Sequence, residues 1–119
     1  MNEVEITKLL LELGFNPAHN GFSYIRRAIG LMLDSPGVFS NASKQLYPAV
    51  ADQYETSPAN VERAIRFAIN KAARTGNFRN KIGKYLVVER PSSNKQFLAL
   101  AREFVKKGGT TDGSRREAL

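Results

Sequence analysis

The chain has 119 residues, 42% of them hydrophobic, with 18 Lys and Arg against 11 Asp and Glu for a net charge of +7, one His, and neither Cys nor Trp. That is the size of one compact domain with its own core, and without cysteine it excludes disulfide frameworks, thiolate metal centres and thiol nucleophiles. A lone His19 builds neither a histidine-rich metal site nor a catalytic triad with spare parts, so no catalytic residue, metal or cofactor is assigned and an enzyme is not expected.

No apolar run reaches the roughly 18 to 20 residues of a membrane span. The acidic start MNEVEITKLL also lacks a signal peptide's basic opening, so the expectation is a cytoplasmic protein away from membranes. In chain order, Val4, Leu9, Leu11 and Leu13 have helical spacing, and Gly14 stands where a left-handed cap stops a helix near Leu13. Past Asn16-Pro17, the residues Phe22, Ile25, Ile29, Leu31, Met32 and Leu33 predict a buried helix up to Asp34. Its Arg26-Arg27 pair suits nearby carboxylates at least as well as phosphates, and His19 reads as a surface loop residue. Ser35-Pro36-Gly37 breaks the chain, and a short helix is expected over about 38–46. Pro48, which has no N–H to donate, belongs in the first turn of a further helix running to about Tyr54.

Thr56-Ser57-Pro58 is the clearest start signal, since a hydroxyl caps free N–H groups and proline is tolerated just inside a first turn. The fifth helix begins there and runs to about Thr75, where Gly76-Asn77 stops it. Residues 78–93 read as an ordered loop with an extended pattern at Tyr85-Leu86-Val87-Val88. Asn94 reads as the cap of a last helix, in which Phe97, Leu98, Leu100, Ala101, Phe104 and Val105 keep helical spacing to about Lys106. Residues 108–119 are rich in Gly, Thr and Arg and have little to bury, so the expected domain is 1–107 followed by a disordered tail.

The fifth helix concentrates the charge. Residues 58–90 hold eight basic side chains (Arg63, Arg66, Lys71, Arg74, Arg79, Lys81, Lys84, Arg90) and two acidic ones (Glu62, Glu89), whereas residues 1–57 hold four basic and six acidic. At about 100° per residue, Val61, Ala64, Ile65, Ala68, Ile69 and Ala72 gather on one side. Ala59, Arg63, Arg66, Phe67, Asn70 and Arg74 lie opposite, with Glu62 and Lys71 at the flanks. A short helix joined through Glu55-Thr56-Ser57 to such a basic helix is a helix-turn-helix in outline, whose second helix lies in the DNA major groove. The arginine fork matches guanine O6 and N7 together, and Glu62 can accept from cytosine N4 or orient an arginine. Ser57 and the helix's amino end can face a phosphate. The same pattern also describes an ordinary solvated basic helix, with Glu62 and Arg66 as a surface i,i+4 pair.

The run LYPAVADQYETSPANVERAIRFAINKAARTGN at 46–77 resembles the carboxy-terminal effector domain of the stage 0 sporulation protein A family. GFSYIRRAIGLML at 21–33 is similar to that family's early Gly-aromatic-x-Tyr-x-Arg helix, and NKQFLALAREFV at 94–105 to its last helix. The resemblance implies an all-α, winged-helix-like bundle of about six helices that binds double-stranded DNA through its helix-turn-helix and regulates transcription. The family's base-reading residues carry over onto Glu62, Arg63 and Arg66. Ser57, Asn60, Asn70, Lys71, Arg74, Lys81 and Lys84 are then assigned to the DNA backbone. Two departures stand out: Asn60 replaces a usual basic residue, and Phe67 and Ala73 stand where the family has His and Trp. Phe67 fits a thymine methyl or a hydrophobic partner surface equally well.

The family's regulator also carries a receiver domain with a phosphoacceptor aspartate, which this chain has no room for. The chain is then either a free-standing relative or a truncated piece of a receiver-containing regulator, and the expectation is the free-standing form, controlled by abundance, dimerisation or a partner. Expected partners are DNA, a second copy on an adjacent half-site, and the RNA polymerase sigma subunit. The competing reading is a protein-interaction module of the same fold that binds RNA polymerase or a full-length regulator in place of DNA.

Overall fold

A computed structural model describes residues 3–35, 37, 42–74 and 93–106, with no strand among them. In chain order they form α1 (Glu3–Glu12), α2 (Asn20–Asp34), a single π-helical turn (Ala42–Leu46), α3 (Tyr47–Gln53), α4 (Pro58–Ala73) and α5 (Asn94–Lys106). The expected all-α class is the observed one. The expected extended piece at 85–88 and the tail at 108–119 lie outside the described residues.

Helix α1 stops at Gly14 as its sequence requires. Gly14 has φ 95°, its N–H donates to the Leu11 carbonyl at 3.1 Å, and the Phe15 N–H donates to the Leu10 carbonyl at 3.0 Å. This closure places one residue in the left-handed region, where glycine alone is unstrained. It also turns Phe15 into the core, with its ring 5.4 Å from that of Phe97 in α5. Of the apolar residues from Val4 to Leu13, Leu9 and Leu13 are buried, but Val4 and Leu11 face solvent, and Ile6 and Leu10 hold the other core positions. Residues 6, 9, 10 and 13 are three or four apart and share one helix face, whereas 4 and 11 lie on another.

Residues 38–41 of the expected short helix lie outside the described residues, and the break expected between it and the next helix at Leu46 is not observed. Leu46 is itself α-helical (φ −72°, ψ −52°), and the π turn runs into α3 without an extended break, with Pro48 in the first turn. Proline cannot donate to a carbonyl one turn back, and the widened turn ahead of it tolerates that missing bond. The expectation that Asn94 caps the last helix is also corrected. Ser93 is the cap, its Oγ accepting from the Gln96 N–H at 3.1 Å, and Asn94 is turned inward.

Helix α2 is the hub, packing against α1, α4 and α5, while α4 rests on α2, α3 and α5. The core joins Leu10 and Leu13 to Ile25 and Ile29, then Leu46 and Val50, then Val61 and Ile65, and finally Phe97 and Leu98, all essentially excluded from water.

The turn between α3 and α4 has the same closure as the end of α1, without a glycine. Glu55 has φ 54°, its N–H reaches the Asp52 carbonyl at 3.4 Å, and the Thr56 N–H donates to the Ala51 carbonyl at 2.9 Å. A side chain in the left-handed region costs about 1 kcal/mol that glycine does not incur. Glu55→Gly is therefore expected to raise the melting temperature by roughly 4–8 °C, the equivalent of that energy for a domain near this size. Thermal unfolding followed by circular dichroism checks it. An unchanged or lower midpoint would mean that Glu55 makes an interaction outweighing its backbone strain.

Candidate nucleic-acid interface

Helix α4 begins as its sequence dictates. Ser57 is extended (φ −100°, ψ 153°) and its Oγ accepts from the Asn60 N–H at 3.1 Å, while Pro58 occupies the first turn. Asn60 Nδ2 donates to Thr56 Oγ1 at 2.9 Å, and the Val61 N–H donates to the Ser57 carbonyl at 3.0 Å. Among the first N–H groups of the helix this leaves Ala59 for an outside acceptor. The Ser57 hydroxyl still has its own hydrogen to donate.

The expected inner face is the observed one: Val61, Ile65, Ala68, Ile69 and Ala72 are buried, with Ala64 half-buried and Ala73 added at the end. On the outer face Ser57, Ala59, Arg63, Arg66, Phe67, Lys71 and Arg74 are exposed, and Asn60, Glu62 and Asn70 are half-buried. Arg66 is ion-paired with Glu62 one turn back, along the helix surface. No described residue holds the Arg63 guanidinium. The Lys71 ammonium lies 5.8 Å from the centre of the Phe67 ring. Lys81 and Lys84 lie outside the described residues.

Three contacts fix how far this face stands from the body of the domain, and none of them lies on it. Gly21, in the first turn of α2, lets α4 come so close that a Cβ there would sit 2.4 Å from the Ala64 carbonyl oxygen and 2.8 Å from Ala68 Cβ. Asn94, 8% exposed, donates from Nδ2 to the Glu62 carbonyl at 3.0 Å, tying α5 to the first half of α4. Its side chain also hydrogen-bonds Tyr47 at the start of α3. Burial pushes the Tyr47 phenol above its ordinary value, and the bond with Asn94 offsets this only in part, so the hydroxyl stays neutral beneath Glu62. Third, the Tyr54 ring at the end of α3 packs edge-on against Tyr24 of α2, centroids 5.2 Å apart, which anchors the turn.

The sequence offers two adjacent caps, Ser93 and Asn94, and nothing local says which of them turns inward. Nothing local marks Gly21 as a contact point. Arg26 behaves as a structural residue, with Nε 3.6 Å from a Glu3 carboxylate oxygen and Nη1 3.2 Å from Thr7 Oγ1. His19 is half-buried at the cap of α2 rather than in open loop, its ring 5.3 Å from that of Phe67.

A short helix, a tight four-residue turn and a longer helix with a basic exposed face, seated on a third helix, define a helix-turn-helix domain of the nucleic-acid-binding class. The chain belongs to the family described as sporulation initiation factor Spo0A C terminal, whose family model it matches over residues 6–105. That family is the DNA-binding effector domain of a sporulation regulator, a regulatory rather than an enzymatic family. Among the described residues no helix is long and apolar enough to cross a membrane.

Proposed function

We propose that this chain is a sequence-specific regulator of transcription that reads double-stranded DNA by placing α4 in the major groove. The observation that carries the reading is the outer face of α4, where exposed Arg63 and Arg66 stand beside Glu62 on a helix pinned from behind by Gly21 and Asn94. Arg63 and Arg66 read guanine edges, and Glu62 orients Arg66 through their ion pair or accepts from a cytosine. The Ser57 hydroxyl and the Ala59 N–H meet a phosphate at the helix start. Asn60 contributes its second amide hydrogen, and Asn70, Lys71 and Arg74 continue along the backbone. Lys81 and Lys84, which follow α4 in sequence, extend the same grip. One such helix reaches few bases, so useful affinity calls for a second copy on an adjacent half-site, and transcriptional control calls for contact with the RNA polymerase sigma subunit.

The competing reading, a protein-binding module of the same fold, draws on the exposed Phe67 and on Asn60 being tied back to Thr56. Selection of duplexes from a randomised pool, followed by fluorescence-anisotropy titration of the selected duplex and a scrambled one, separates the two. The expected result is a preference for the selected duplex, with log K falling by about 0.9 for each neutralised phosphate against log salt. Four backbone cations, Lys71, Arg74, Lys81 and Lys84, then give a loss of about a hundredfold between 50 and 200 mM salt. No enriched sequence and no salt-dependent binding would favour the protein-binding module.

A further inference from the structure

The reading face of α4 carries one large apolar side chain among the described residues. Phe67 is 52% exposed and sits one helical turn beyond Arg63 on the same stripe, between the exposed Arg66 and half-buried Asn70. The ring has two neighbours. The His19 imidazole packs edge-to-face against it from the start of α2, centroids 5.3 Å apart, and the Lys71 ammonium lies 5.8 Å from its centre. A ring already packed on His19 has fewer rotamers to lose on binding, so new apolar contact there translates into affinity with a smaller entropic loss. Base edges in the major groove are polar except at one group, the 5-methyl of thymine.

We infer that Phe67 is a base-reading residue: its ring packs on the 5-methyl group of a thymine within one or two base pairs of the base that Arg63 reads. This rests on the DNA-reading function proposed above and adds the base it selects. Arg63 and Arg66 read by hydrogen bonds, whereas Phe67 reads by excluding water from a methyl group. It discriminates thymine from cytosine and uracil, but not through any polar edge atom.

The test uses the duplex that the protein itself selects, with each thymine replaced in turn by deoxyuridine. That exchange removes only the methyl and preserves base pairing. At one or two positions the wild-type protein is expected to bind the deoxyuridine duplex about fourfold more weakly, the effect of leaving one methyl-sized group in water. Phe67→Ala is expected to bind the thymine and deoxyuridine duplexes equally and about as weakly as wild type binds the deoxyuridine duplex, closing a double-mutant cycle with full coupling. Phe67→Leu, still apolar, retains part of the difference. An unchanged thermal midpoint establishes that the variants fold. A wild-type protein indifferent to every deoxyuridine, or a Phe67→Ala variant as sensitive as wild type, overturns the inference while leaving the DNA-reading function intact. Failure to select any sequence overturns that function instead.

Discussion

Replacing Arg63 and Arg66 together by Ala is expected to abolish preference for the selected duplex over a scrambled one. Each bidentate guanine contact is worth roughly 1–3 kcal/mol of discrimination, so losing two should cost on the order of 30-fold to 10,000-fold in the specificity ratio. The fold should survive, because both side chains are exposed and the ion pair lost with Arg66 is a half-exposed surface pair. The single variants are expected to differ. Arg63 has no partner among the described residues, so its removal deletes one contact. Removal of Arg66 also releases the Glu62 carboxylate, leaving a negative charge facing DNA phosphates, and Glu62→Gln in that background should recover part of the loss. Anisotropy titrations of specific and scrambled duplexes at fixed salt measure all of these. Full discrimination in the double variant would show that α4 does not read bases through its arginines.

Gly21→Ala is expected to destabilise the domain by about 2 kcal/mol, a fall of roughly 8–16 °C in melting temperature. The added Cβ would meet a backbone oxygen of α4 at 2.4 Å, and backbone cannot swing aside as a side chain does, so the two helices must part. Because α4 carries the proposed reading face, specific DNA affinity is expected to fall beyond what the population of folded protein accounts for. The same substitution nine residues later supplies the control. Gly30 has nothing within 4 Å of a built Cβ, and Gly30→Ala should stabilise by about 0.5–1 kcal/mol through helix propensity and a less flexible unfolded chain. Opposite signs within one helix would show that close approach, and not loss of a helical glycine as such, governs position 21. Equal effects would refute that explanation.

Elements governed by local rules were legible from the residues. Gly14 ends α1 because a left-handed cap needs a residue without Cβ, and Ser57-Pro58 starts α4 because a hydroxyl and a proline suit a first turn. The division of α4 into an alanine-rich inner face and a basic outer face follows from a period of 3.6, whereas the choice of Glu62, Arg63 and Arg66 on that face as base-reading candidates comes from the family resemblance. Choices between two locally adequate options were not legible. Ser93 and Asn94 are both good caps, and the choice fell to the Glu62 carbonyl and Tyr47, neighbours that are remote in sequence. Leu46 could end one helix or continue into the next, and Val4 and Leu11 were no less apolar than Ile6 and Leu10.

By itself, then, the sequence determined which segments are helical, where most of them begin and end, and which face of α4 carries charge, since each depends on residues within a turn or two of one another. Only the tertiary structure decided how α4 is held: the contact at Gly21, the bond from Asn94, and the His19 ring against Phe67. Those contacts join residues 43 to 48 positions apart, or 32 in the case of Asn94 and Glu62. No periodicity or propensity reaches across such distances, because they are set by how helices with matching small and large side chains close-pack in three dimensions.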